Sequence, residues 1–266
     1  MHCSHWYGAY LFDLDGTIYL GDHLLPGVAS SLRRIRDRGI PVRFLSNNPT
    51  KSPSEYLAKL TRLGLEAEPA EIVNTLVTTT HWLREHRPGA TVFPIGEQPL
   101  LDALDEAGIA VSDDPSRIDI VLASYDRTFC YEKLQVAFDA LWFHRRAVLM
   151  STNPDRYCPF PGGRGEPDAA SVVAAIEACT GITCERTFGK PSRQMLDVIM
   201  DDLGAPLESA VMVGDRLMTD VAMGRRAGMD AALVLTGDSK AEDIQTVPAP
   251  ERPTWVLERL SDLLPD

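Results

Sequence analysis

Asp13 and Asp15 stand two residues apart and run into Gly16-Thr17, a spacing that lets a turn aim two carboxylates and its own N–H groups at one point. A second acidic pair, Gly214-Asp215 and Thr219-Asp220, follows the apolar run Val211-Met212-Val213. Between the pairs lie Ser46-Asn47-Asn48 and Gly189-Lys190-Pro191-Ser192. Carboxylates in such numbers serve as nucleophile, general acid or base, or ligands of a hard cation, and a hydroxyl, an amide and an ammonium suit anionic oxygens. Each string also has a plainer use. Asp13 and Asp15 could form an Asx-turn with a helix cap, Ser46 and Asn47 could cap a helix before Pro49, and Lys190 alone would be a solvated lysine.

The elements needed to position these residues are readable around them. Ala9–Leu14 is a short apolar run of strand length that delivers the first acids at its C-terminal end. Pro26–Gly39 carries apolar residues at Val28, Leu32 and Ile35 with arginines between, which predicts an amphipathic helix closed by glycine. A strand over 40–45 ends at Ser46, and a helix after Pro53 reaches Leu63-Gly64. The alternation then continues with helix 72–86, strand 91–95, helix 100–107, strand 118–123, helix 131–143 and strand 147–151. The Pro/Gly-rich stretch 159–165 reads as a loop and 169–180 as a helix that Asp168 would cap. Helix 192–203, strand 210–213, helix 219–227 and strand 231–235 complete the pattern. This is the signature of an α/β protein with a parallel sheet. All four chemical strings fall after a strand or at a helix start, where open α/β sheets hold ligands.

The chain has 266 residues, 44% apolar and 24% charged, enough apolar material for a large core and inconsistent with disorder, collagen or coiled coil. Twenty-six Lys and Arg against 38 Asp and Glu give a net charge of −12, a field that repels nucleic-acid backbones and anionic membranes. Neither is an expected partner. Five cysteines, Cys3, Cys130, Cys158, Cys179 and Cys184, contain no C-x-x-C pair, so a disulfide framework is not expected and a reducing cytoplasm fits. The stretch Met1–Trp6 does not read as an export signal, and His2, Cys3 and His5 there form only a weak metal-ligand set.

In order and spacing, Asp13-Leu14-Asp15-Gly16-Thr17-Ile18-Tyr19, Ser46-Asn47-Asn48, Lys190-Pro191-Ser192 and Gly214-Asp215-Arg216-Leu217-Met218-Thr219-Asp220 resemble the four motifs of the haloacid-dehalogenase (HAD) superfamily of phosphohydrolases. The insertion of about 110 residues between the second and third, with Tyr131-Glu132-Lys133-Leu134 and Ser151-Thr152-Asn153-Pro154-Asp155, resembles the α/β cap of its subclass IIA. That subclass includes nucleotide, sugar-phosphate, phosphoglycolate, pyridoxal-phosphate and p-nitrophenyl phosphatases. The resemblance implies a Rossmann-like parallel-sheet core at 1–72 and 186–266 and a C2-type cap at 73–185, closing over the site.

The same resemblance implies hydrolysis of a small phosphomonoester metabolite, with Asp13 as nucleophile forming an aspartyl-phosphate and Asp15 as acid and then base. Ser46 and Asn47 would bind phosphoryl oxygens and Lys190 would neutralise developing charge. Four aspartates facing one lysine and a phosphate dianion would repel one another without a divalent cation, and oxygen donors favour Mg²⁺. By resemblance its ligands are the Asp13 carboxylate, the Asp15 backbone carbonyl and Asp215, with Asp220 orienting bound water or Lys190.

Arg156, Tyr157 and Cys158, just after Asp155, are candidate substrate selectors, and the subclass admits a homodimer through the cap. Arg164–Asp168 departs from the more neutral, glycine-rich stretch of relatives. Gly189-Lys190 is not a nucleotide loop, because Pro191 follows and the upstream glycine spacing fails. Cys158 has no neighbouring histidine to activate it as a nucleophile. The residues leave three rivals: dehalogenase or phosphonate chemistry, the former opposed by an acid at Asp15; phosphoryl transfer to another alcohol; and a non-hydrolytic phospho-receiver, which would leave the cap without a purpose.

Overall fold

A computed structural model describes residues 5–160 and 163–265. His2, Cys3, Pro161 and Gly162 of the strings above lie outside the described residues. The chain forms two compact units, one of Met1–Ser46, Pro53–Val73 and Lys190–Asp266, the other of Asn47–Ser52 and Asn74–Gly189. The expected divisions at 72/73 and 185/186 differ from these on two counts. Arg186–Thr187 forms a strand of the second unit's sheet, and Asn47–Ser52 groups with that unit although it follows the first unit's strand directly.

In chain order the first unit begins with β1 (Ala9–Asp13), the hairpin β2 (Tyr19–Leu20) and β3 (His23–Leu24), α1 (Val28–Arg36), β4 (Val42–Ser46), α2 (Pro53–Arg62) and β5 (Ile72–Asn74). The second holds α3 (Thr75–His86), β6 (Val92–Ile95), α4 (Gln98–Glu106), β7 (Ile120–Ala123), α5 (Tyr131–Phe138), β8 (Val148–Ser151), β9 (Tyr157–Phe160), β10 (Arg164–Pro167), α6 (Ala169–Thr180) and β11 (Arg186–Thr187). The first resumes with α7 (Gln194–Leu203), β12 (Ala210–Gly214), α8 (Ala222–Arg226), β13 (Asp230–Val234) and β14 (Trp255–Leu257).

The first unit's sheet has the order β14-β13-β12-β1-β4-β5, with β1 parallel to both β12 and β4. Its central strands are almost continuously apolar because both faces are covered, as a parallel sheet requires. Tyr10, Phe12, Phe44, Val211 and Val213 meet Leu32 and Ile35 of α1 and Tyr56 and Leu60 of α2 on one face. Ala231 and Leu233 meet Leu217 and Val221 on the other. Pairing Phe12 with Val213 and Asp13 with Leu45 brings the C-terminal ends of β1, β12 and β4 side by side. Three of the four predicted chemical strings start there.

The second unit repeats the logic with the parallel sheet β11-β8-β7-β6. Alternate residues of β7 serve opposite faces: Val121 and Ala123 pack with Val172 and Ile176 of α6, Ile120 and Leu122 with Leu76, Leu83, Leu100 and Leu104 of α3 and α4. Asp168 caps α6 as expected, its Oδ1 accepting the Ala169 N–H at 2.6 Å. The expected loop over 159–165 is instead largely the antiparallel ribbon β9–β10. Proline and glycine are tolerated there because most of its residues are exposed and a two-stranded edge needs no donor from every residue. The helix predicted over 131–143 ends in a π-helical turn, Asp139–Phe143, and the one predicted over 219–227 starts earlier, in the π-helical turn Leu217–Val221 that leads into α8.

Phe44 is fully buried, its ring 6.3 Å from that of Phe12. Phe44→Ala is expected to destabilise the protein by about 3–5 kcal/mol, read as a lower urea midpoint for the first unfolding transition.

Candidate active site

Asp13 closes β1, Ser46 closes β4 and Asp215 follows β12, so the parallel sheet itself sets these three side by side. Lys190 is the first residue of the chain's return to this unit. Its ammonium is 2% exposed and lies 2.5 Å from Asp13 Oδ1 and 2.7 Å from Asp220 Oδ1. The carboxylates of Asp13, Asp215 and Asp220 each present an oxygen within 4.8 Å of the others. One cation therefore faces three anions in a buried space.

Backbone turns hold this cluster. Asp220 Oδ2 accepts the Arg216 N–H at 3.1 Å, so Asp220 reaches back from within its π-helical turn to the residue that precedes it. Asp215 Oδ2 accepts the Asp238 N–H at 2.7 Å, and the Ser239 N–H donates to the Asp215 carbonyl at 3.1 Å. Thr236 Oγ1 donates to the Gly16 carbonyl at 2.6 Å, joining the first loop to the one after β13. Two glycines make the packing feasible. A Cβ on Gly237 would lie 1.9 Å from Asp215 Oδ2, and one on Gly214 would lie 2.2 Å from the Asp220 Cβ. Gly16 adds a backbone constraint, with φ of +85°, which L side chains rarely adopt.

Burial would lower the Lys190 pKa, but the charges of Asp13 and Asp220 outweigh it and raise it, so the ammonium stays protonated. Burial lifts the Asp13 carboxyl well above its ordinary range; Lys190 opposes the rise, and Asp220 and Asp215 add to it. Asp215 is pushed up to about 6, first by burial and then by the charge of Asp220. Asp215 Oδ1 is buried and accepts no hydrogen bond from the described residues. An orphaned carboxylate oxygen among three oxygen donors fits a hard divalent cation, which would take the unused lone pairs and the excess negative charge together.

The remaining expected residues occupy other surroundings. The Asp15 carboxylate is 61% exposed and is not one of the three clustered carboxylates; Tyr19 donates its OH to Oδ2 at 3.2 Å and Lys59 Nζ is 4.0 Å from Oδ1. What was assigned to Asp15 as a metal ligand is its backbone carbonyl. Ser46 Oγ shares a hydrogen bond with Tyr56 OH at 2.9 Å. In the second unit, Asn47 Nδ2 donates to Asp155 Oδ2 at 2.9 Å, and the Asn47 carbonyl accepts from Asn153 Nδ2 at 2.8 Å and Thr75 Oγ1 at 3.1 Å. Arg156 is exposed just before β9, which begins with Tyr157 and Cys158.

Among known proteins, residues 10–110 match the family model for haloacid dehalogenase-like hydrolases and residues 187–263 match a HAD-hydrolase-like model. The acid sugar phosphatase of Staphylococcus aureus is 34% identical over 259 residues, covering 97% of each chain. The chain belongs to the haloacid dehalogenase-like hydrolases. The 4-nitrophenylphosphatase of Thermotoga maritima shares the fold at a TM-score of 0.89 with 32% identity, over 96% of this chain and 95% of that one. NagD from E. coli K-12 does so at 0.86 with 27% identity, over 97% and 98%. Within the HAD hydrolases the chain is a subclass IIA phosphatase, acting on phosphoric monoesters. No helix among the described residues is long and apolar enough to cross a membrane.

Lys59 and Tyr56 carry no sequence signal for a part in the site, and Tyr19, Asn153 and Asp155 stand out only as members of longer motifs. Lys59 and Tyr56 look like ordinary positions of an amphipathic helix, and nothing local in sequence ties them to Asp15 or Ser46.

In the metal-free protein the folded Asp215 keeps its proton up to about pH 6, whereas the unfolded carboxyl ionises near 3.8. The folded state thus binds the extra proton between those values, and stability falls as the pH rises through them. The loss at pH 8 is on the order of 3 kcal/mol. Asp215→Asn is expected to raise the Tm of EDTA-treated protein at pH 8 and to leave it nearly unchanged at pH 4, measured by calorimetry.

Proposed function

We propose that this phosphatase hydrolyses a small phosphomonoester metabolite, such as a sugar phosphate, a nucleotide or phosphoglycolate, in a Mg²⁺-dependent reaction through an aspartyl-phosphate. The observation that carries the reading is the buried cluster of Asp13, Asp215 and Asp220 around Lys190, with the Asp215 Oδ1 orphaned. Similarity to an acid sugar phosphatase supports a sugar phosphate within that range.

Asp13, Asp215 and the Asp15 carbonyl would hold Mg²⁺, with Asp220 beside them. When bound, the ion supplies positive charge to the phosphoryl oxygens and relieves repulsion between substrate and carboxylates. Lys190 fixes Asp13 through Oδ1 and keeps a permanent positive charge where negative charge builds up in the transition state. Asp13 attacks phosphorus, an O–P bond forms, and the ester P–O bond breaks with its electron pair passing to the leaving oxygen. Asp15 gives that oxygen its proton. Water then attacks the aspartyl-phosphate, Asp15 takes the water's proton, and the Asp13–phosphorus bond breaks to release phosphate and restore the carboxylate. Ser46 and Asn47 bind the non-reacting phosphoryl oxygens. Family membership favours water as acceptor over the phospho-receiver alternative.

Division of labour follows the two units: the first carries the chemistry and the second, around Arg156, Tyr157 and Cys158, selects the leaving group, and a homodimer would form through it. The charge of −12 bars extended polyanions but not one small anion at a metal-compensated site.

Asp13→Asn is expected to abolish Mg²⁺-dependent release of p-nitrophenol from p-nitrophenyl phosphate, a fall of 10³-fold or roughly more. Wild-type-like turnover in that variant would overturn the mechanism, and activity that survives EDTA unchanged would overturn the metal assignment. Against a panel of phosphorylated metabolites, Arg156→Ala is expected to alter the ranking of kcat/KM values by about tenfold for at least one ester while leaving phosphate inhibition unchanged.

A further inference from the structure

Asp15 differs from the other aspartates of the site. Its carboxylate is largely exposed, whereas those of Asp13 and Asp220 are 13% and 1% exposed and locked by Lys190. An exposed carboxylate samples several rotamers, yet a general acid acts only when one oxygen is aimed at the leaving group. The structure supplies two fixed points for it. Tyr19 is fully buried and donates its OH to Asp15 Oδ2 at 3.2 Å, while Lys59 Nζ stands 4.0 Å from Oδ1. The two anchors are themselves joined, because the Lys59 ammonium lies over the Tyr19 ring, 3.6 Å from its centroid. The backbone fixes the base of the arrangement: the Gly16 N–H donates to the Tyr19 carbonyl at 2.8 Å, and Asp15 and Tyr19 form a β-bridge.

Lys59 is buried on α2, three residues after Tyr56, whose OH pairs with Ser46 Oγ. Residues three apart share a helix face. One face of α2 therefore reaches both the acid and the hydroxyl assigned to phosphate binding. Burying an ammonium on an otherwise apolar helix face is costly unless it meets an anion or a ring, and here it meets both.

We propose that Tyr19 and Lys59 are positioning residues that hold the Asp15 carboxyl, one at each oxygen, in the orientation that delivers its proton to the leaving oxygen. The proposal rests on the acid role given to Asp15 above. It requires that loss of either anchor slows P–O cleavage in proportion to how much the leaving group needs a proton. p-Nitrophenolate delocalises its charge and needs little help; an alkoxide needs a proton as it departs.

The test compares the first-turnover rate of leaving-group release, before water attacks the aspartyl-phosphate, for p-nitrophenyl phosphate and for the alkyl phosphate that the wild type turns over fastest, in Tyr19→Phe, Lys59→Met, Lys59→Arg and Asp15→Asn. Tyr19→Phe and Lys59→Met are expected to lower this rate for the alkyl ester by about tenfold or more and for the nitrophenyl ester by less than about threefold, at saturating substrate. Lys59→Arg is expected to recover most of the loss. Tyr19→Phe keeps the buried ring and decides the matter if Lys59→Met does not fold. Equal losses on both esters, or none, in a background where Asp15→Asn is selective for the alkyl ester, would overturn the positioning roles alone. An Asp15→Asn variant in which the first-turnover release of both leaving groups falls equally would overturn the acid role and the proposal together.

Discussion

Lys190 is the point on which the site turns. A buried ammonium with carboxylates on two sides cannot be neutralised, moved or removed without leaving at least one of those carboxylates uncompensated in a poorly solvated space. The arrangement is nonetheless short of positive charge, since Asp215 belongs to the same cluster and has an oxygen without a hydrogen bond. That deficit is what makes the site a receptor. A divalent cation would offset the excess negative charge, and the pKa of Asp215 is raised first by burial and then by the charge of Asp220.

The α/β architecture makes such crowding possible. Adjacent parallel strands end at the same edge, and the residues just beyond their ends come within a few ångströms of one another without any strand departing from regular geometry. Close approach of like-charged groups is then held in place by backbone N–H donors from Arg216 and Asp238 and by glycines that leave no Cβ in the way. Main chain thus holds Asp215 and Asp220, and the Lys190 side chain ties Asp13 to Asp220.

Much of this was legible in the sequence. β1 is an apolar run ending in an acid and β12 is one followed by an acid, and an acid at or just past the end of an apolar strand is a local signal that needs no tertiary knowledge. The links that escaped are tertiary. Lys59 and Asp15 are far apart in the chain, and a lysine on an amphipathic helix gives no sign that it reaches a ring and a carboxylate. The ribbon β9–β10 was hidden because its prolines and glycines signal a break, and that rule fails for an exposed pair with few ladder bonds to lose. β11 has only two residues, too few to show a period, so Arg186–Thr187 was placed with the wrong unit.

The peptide bond between Ser46 and Asn47 is also one of the four points at which the chain passes between the two compact units. The Asn47–Ser52 segment is tied down from within its own unit, by Asn153 and Thr75 at the Asn47 carbonyl, by Asp155 at its side chain and by Asn74 at the Lys51 carbonyl. The insertion is therefore not a detachable module. A chimera that exchanged residues 74–189 for those of another phosphatase would replace all four of those partners at once, so Asn47–Ser52 and the inserted unit must be inherited, or engineered, as a single block.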